Sequence, residues 1–207
     1  MRSMKHHLRS PVLALTASLL IMPAGFAAGS VASAQVSALD NALISAMKSA
    51  SAGQNFQARY NTLAPVVEQA YDLPEVTKNS VGFLWSTLPA AQQSELIDLF
   101  TQFTISSYVS QFNGYNGQTI SVLPEEKQLG QKKIVETKLT SADGSGVEID
   151  YVVAGSGNDW KINDVLLNGT ISQVAVHASD FASLVKSGDA SQLISALQSK
   201  IKTLQGG

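Results

Sequence analysis

The chain has 207 residues and no cysteine, which rules out disulfides, thiolate catalysis and thiol-linked anchors. Its 14 Lys and Arg against 16 Asp and Glu give a formal net charge of −2, with no basic tract able to neutralise a run of phosphates. Nucleic acid is therefore excluded as a partner, and contact with an anionic membrane surface is at most transient.

The first residues carry a compartment signal. Arg2, Lys5 and Arg9 precede an apolar run from Val12 to Ala28, and Ala32-Ser33-Ala34 follows as a small-x-small cleavage pattern. This three-part layout is that of a secretory signal peptide over residues 1–34, cut after Ala34. An uncleaved anchor is the alternative, but Pro23 and Gly25 interrupt the run. The expected location is outside the cytoplasm. Removing 34 residues leaves 173, one ordinary domain over 35–205, and takes three of the basic residues with it, so the remainder carries 11 basic and 16 acidic groups, a net −5.

Residues 36–113 have a helical period. Val36, Leu39, Leu43 and Met47 make one stripe, and Phe56, Tyr60, Leu63 and Val67 another, separated by Ala52-Gly53-Gln54-Asn55. Pro65 falls inside the second stripe, where a kink or boundary is expected. Asp72 is placed to cap a helix running through Phe83, Leu84 and Trp85, and Pro89 suits the first turn of a long helix. That helix has two apolar sets, Leu96, Leu99, Phe100, Phe103 and Ile105, Tyr108, Val109, Phe112. An offset of nine residues sets them on opposite faces. Either the helix passes between two packing environments and lines a cavity, or it breaks near Thr104.

After Asn113-Gly114-Tyr115-Asn116-Gly117 the period becomes two. Strands are expected at about 118–123, 131–140, 147–154 and 159–167, with hairpins at Asp143–Gly146 and Gly155–Asn158. Val147, Ile149, Tyr151 and Val153 alternate with Glu148 and Asp150, and Glu136 and Lys138 oppose Val135 and Leu139. The sheet is thus a short antiparallel meander with one apolar face. Residues 170–204 return to helix: Ile171, Val174, Phe181, Leu184 and Val185 suit one ended by Gly188, and Asp189 with Gln192 resembles a capping box for the last. The expected fold is α+β, a four-stranded antiparallel sheet with helices on one face.

Catalytic equipment is sparse. His177 is the single histidine beyond the signal, it lies among Val174, Ala175 and Ala178, and no Gly-x-Ser-x-Gly elbow occurs. No metal-ligand spacing and no phosphate-cradling glycine loop is present, so neither metal nor cofactor is implied. Asp150 and Asp164 fall on strands and are the remaining acid–base groups. An exported apolar chain of this kind points to binding rather than catalysis.

Several segments resemble one family. Phe56-Gln57-Ala58-Arg59-Tyr60 with Leu63, Pro65-Val66-Val67 and Tyr71-Asp72-Leu73 is similar to the helical opening of MlaC proteins, the toluene-tolerance family. Asn113–Gln118 resembles that family's passage into the sheet, and Trp160–Val165, Gly169–Ser172 and Phe181 its last strand and following helix. The resemblance implies a cone-like periplasmic carrier holding phospholipid in an apolar pocket. It further implies exchange with an inner-membrane MCE-domain complex driven by an ABC transporter, with an outer-membrane lipoprotein as a further partner. His177-Ala178 departs from the Tyr-Arg usual in the family, and the run Thr170–Val176 looks closer to the hopanoid-associated HpnM branch, which leaves phospholipid and hopanoid both open as cargo.

Two acyl chains hold about 30 methylenes, each worth about 0.8 kcal/mol when kept from water, so roughly 24 kcal/mol must be offset by the walls. The residues expected to supply them are Tyr108, Val109 and Phe112 of the long helix, Val147, Ile149, Tyr151, Val153, Trp160 and Ile162 of the sheet, and Val165, Leu167 and Val174 at one end. Arg59 is the candidate for a headgroup contact. The rival readings are an enzyme using Asp150, Asp164 or His177, and an adaptor with a solid core.

Overall fold

A computed structural model describes residues 30–206; the apolar run expected to belong to a signal peptide lies outside the described residues. Helix α1 (Val31–Ser51) starts at Ser30, whose hydroxyl caps the amide of Ser33. The expected cleavage point after Ala34 therefore falls within the first turns of α1. Its stripe Val36, Leu39, Leu43 and Met47 is buried along its length. Asn55 then caps α2 (Phe56–Ala70) through the amide of Ala58.

No boundary occurs at Pro65, which sits inside α2. The missing amide would have bonded the carbonyl of Asn61, and both residues are exposed, so water satisfies the freed oxygen. Asp72 caps α3 (Leu73–Val81) through the amide of Glu75, as its position suggested. That helix ends at Gly82, ahead of Phe83: a 3-10 turn covers Gly82–Thr87 and leaves Phe83 89% exposed. The long helix α4 (Ala90–Gln111) runs unbroken through Thr104.

The sheet has five strands in sequence order, not four: β1 (Thr119–Leu129), β2 (Lys132–Thr140), β3 (Gly146–Ser156), β4 (Asp159–Leu167) and the short β5 (Ile171–Ser172). All neighbours are antiparallel. β1 continues well past its expected end. Pro124 lies where the β1–β2 register shifts, and an edge strand tolerates a residue without an amide to donate. Asn168 and Gly169, both at positive φ, turn the chain back so that Ile171 pairs with Leu167 instead of opening the next helix. Helix α5 (Gln173–Phe181) is correspondingly short, and α6 (Ser191–Gly206) follows Asp189, whose carboxylate accepts from the amide and hydroxyl of Ser191.

The helices pack on the face carrying Val135, Ile149, Tyr151, Val153 and Ile162, which makes an α+β fold. The opposite face carries the charge. Glu136 lies opposite Asp150 and Lys138 opposite Glu148, with Lys127 bonded to Glu136 at 2.6 Å. Helix α1 crosses the inner face from β1 to β4, and α4 lies between α2 and α6.

Candidate functional site

Between the inner sheet face and α3, α4 and α5 lies a cavity of about 200 Å³. Tyr71, Leu73 and Val76 form one wall. The backbone pins Tyr71 in place: it forms a bridge with Ile162, and the next amide, of Asp72, donates to the Ile162 carbonyl at 2.9 Å. Ile149 and Tyr151 of β3 with Val165 and Leu167 of β4 form the sheet wall. Helix α4 contributes Phe100, Phe103, Thr104, Ser107, Tyr108, Gln111 and Phe112, and α5 contributes Val174 and His177 beside Gln173 and Asp164.

The lining explains the double stripe of α4. Thr104, Ser107 and Gln111 run along one face, between the two apolar sets, with Phe100 and Phe103 from one set and Tyr108 and Phe112 from the other at its margins. Leu96, Ile105 and Val109 are fully buried in other directions. The helix is enclosed on most sides, and its cavity face is the partly polar one.

A polar group stands behind the aromatic wall. Asp40 of α1 is buried, and its Oδ1 accepts from the Tyr151 hydroxyl at 3.0 Å while Oδ2 has no partner among the described residues. Burial pushes the Asp40 carboxyl up to about 7, against the lowering effect of the Tyr151 bond. The hydroxyls of Tyr71 and Tyr108 hydrogen-bond each other. Burial raises the pKa of Tyr108 to about 12 and those of Tyr71 and Tyr151 well above the phenol range, so all three keep their protons.

Seven of the twelve expected wall residues border this cavity: Tyr108, Phe112, Ile149, Tyr151, Val165, Leu167 and Val174. The other five do not. Val109, Val153 and Ile162 are fully buried in solid packing, Val147 lies 41% exposed near the Gly146 turn, and Trp160 donates its indole N–H to the Gly157 carbonyl under the ammonium of Lys133. Arg59 is also placed elsewhere. Buried, it donates from Nη1 to the carbonyls of Val109 at 2.8 Å and Phe112 at 3.3 Å, satisfying the C-terminal end of α4 with a cation.

The acid–base groups are committed as well. Asp150 lies on the outer sheet face beside Glu136 and Glu148, away from the cavity. Asp164 borders the cavity, but its oxygens accept from the amides of Val165 and Val174 and from the Ser172 hydroxyl at 2.6 Å, tying β4 to the start of α5. His177 sits in an aromatic cluster, stacked on Phe181 and edge-on to Phe100 and Phe103, and burial lowers its pKa. Among the described residues no Lys or Arg borders the cavity. Tyr71, Leu73, Val76, Thr104, Ser107, Gln111 and Gln173 are lining residues that periodicity did not single out, and Phe100 and Phe103, though read as an apolar stripe, were not among the expected walls.

The MlaC protein family matches residues 37–199. This chain belongs to the MlaC family. A likeness in sequence extends to the toluene tolerance protein Ttg2D of Pseudomonas putida, 24% identical over 116 residues, or 56% of this chain and 54% of that protein. The matched part thus spans about half the length of this curated relative. The fold of this MlaC-family chain is shared with a phospholipid-binding protein from Ralstonia solanacearum solved in complex with a phospholipid: the TM-score is 0.71 at 24% identity, covering 84% of this chain and 98% of that one. Among the described residues no helix is long and apolar enough to cross a membrane.

Proposed function

We propose that this MlaC-family chain is a periplasmic carrier that takes the acyl chains of a phospholipid into the cavity between the sheet and helices α3–α5. The observation that supports it is the cavity itself, walled by apolar and aromatic side chains, in a fold shared with a protein solved with phospholipid bound. At about 200 Å³ the space is smaller than the roughly 300–1,000 Å³ of ordinary ligand sites, so the walls part when two chains enter. Helix α5 is the wall with least to lose, since Phe181 is its one buried residue. Binding then rests on apolar contact. With no Lys or Arg among the described residues of the lining, the headgroup stays at the mouth, where an MCE-domain complex of the inner membrane receives it.

Export by the N-terminal signal and cleavage after Ala34 belong to this reading. Such cleavage removes the Ser30 cap and the first turn of α1 but keeps the stripe from Val36 to Met47. Protein isolated from periplasm should hold glycerophospholipid, identified by native mass spectrometry followed by organic extraction. Protein that is empty, or that carries a pentacyclic triterpenoid in its place, would overturn the phospholipid reading.

A further inference from the structure

The proton count of the tyrosine pair is incomplete. Tyr71 and Tyr108 each carry one hydroxyl proton, and the single hydrogen bond between them uses one of the two. The remaining proton has no acceptor among the described residues. Tyr151 does not take it, since its own proton goes to Asp40 and it makes no hydrogen bond with either hydroxyl of the pair. Tyr71 is 6% exposed and both side chains line the cavity, so the spare O–H is a donor held in apolar surroundings beside whatever fills the space. Leaving a buried donor unsatisfied costs about as much as a lost hydrogen bond, which favours a ligand that brings an acceptor.

Position narrows the acceptor. Tyr108 is half-buried at the margin of the α4 face that carries Ser107 and Gln111. A lipid with its chains inside and headgroup outside carries its innermost oxygen acceptors in its linkage region. We propose that the Tyr71–Tyr108 pair recognises an ester carbonyl oxygen of the bound lipid and selects acyl-ester lipids over alkyl-ether lipids of the same chain length. The inference rests on the lipid-carrier reading above. The pair acts as a relay in which one phenol donates to the other and the second donates to the carbonyl.

The experiment is a competition. The full chain is incubated with vesicles containing equal amounts of diacyl phosphatidylcholine and its dialkyl-ether analogue, re-isolated, and its lipid quantified by mass spectrometry. One hydrogen bond corresponds to an ester preference of about fivefold. Either single substitution, Tyr71→Phe or Tyr108→Phe, leaves one phenol with a free proton and should keep most of that preference. The double substitution should bring the ratio to about one, with total lipid reduced but present. A merely structural role would lower both lipids together and leave the ratio unmoved. Equal uptake of ester and ether by the unsubstituted chain overturns the inference, as does a double variant that keeps the preference. Should the double variant fail to fold, the ratio in the unsubstituted chain still decides. Absence of any lipid uptake instead defeats the carrier reading, a separate outcome.

Discussion

The two ends of the inner sheet face meet different surroundings. Where α1 and α2 cover it, Val36, Leu39, Leu43, Leu63 and Val67 close on Val135, Val153 and Ile162, and none of these is more than 1% exposed. Where α3, α4 and α5 cover it, Ile149, Tyr151, Val165 and Leu167 face a void. The strands are the same, with the same alternation, so the strand pattern does not set the difference. The covering helices do. The solid end uses branched aliphatic side chains, which interdigitate at crystal-like density. The chain has seven Phe, five Tyr and two Trp, and six of these rings border the cavity with His177. Flat, stiff rings stacked edge to face hold one another apart as readily as they pack, and α4 adds Thr104, Ser107 and Gln111 where an aliphatic residue would have filled the gap.

If that contrast is real, truncation should act unequally on the two ends. Leu43→Ala, at a fully buried site, should cost about 2–5 kcal/mol in urea unfolding, whereas Phe103→Ala, beside existing space and partly exposed, should cost about 1 kcal/mol. Equal losses would show that the cavity end is as tightly interlocked as the other. A smaller effect sharpens the boundary between them, where Asp40 bonds Tyr151. With a folded pKa of about 7 against about 3.9 unfolded, Asp40 favours the folded state fully below about pH 4 and loses that contribution as pH rises to about 7. Asp40→Asn, neutral throughout, should therefore gain stability relative to the unsubstituted chain across that window, by at most about 1.4 kcal/mol per pH unit. Parallel stability–pH curves for the two would place the carboxyl in water. The smallest stability change belongs to filling the void: Val165→Phe should shift unfolding by no more than about 1 kcal/mol, since the added ring has room, yet strip the protein of co-isolated lipid. Unchanged lipid content would put the chains elsewhere.

Much of this was legible in the sequence, and the exceptions have causes. Strands β2, β3 and β4 and their hairpins followed from alternation and from glycines at Gly144, Gly155 and Gly157, all at positive φ. Gly155 tolerates nothing larger, since a Cβ there would lie 1.9 Å from the Asp159 carbonyl oxygen. The fifth strand was missed although Asn168-Gly169 is a strong tight-turn signal, because the apolar residues after it fit a helix equally well. The second half of β1 was missed because Pro124, Glu125, Glu126 and Lys127 suit an edge rather than a sheet interior. Seven wall residues were found by asking which apolar positions shared a face. Tyr71 was not, because its segment looks like a turn, and Thr104, Ser107, Gln111 and Gln173 were not, because a search for greasy side chains passes over polar ones. Arg59 was given to a headgroup since sequence alone does not show that the end of α4 arrives beside it.

The hydrogen bond from Tyr151 to Asp40 joins positions 111 residues apart, whereas β1 to β4 are linked in order by three hairpins. Short loops close fast and distant contacts close late, so the meander can assemble from its own neighbours while α1, the first helix among the described residues, waits for a surface that does not yet exist. For the exported carrier proposed above, this ordering keeps the greasy interior unsealed until most of the polypeptide has arrived.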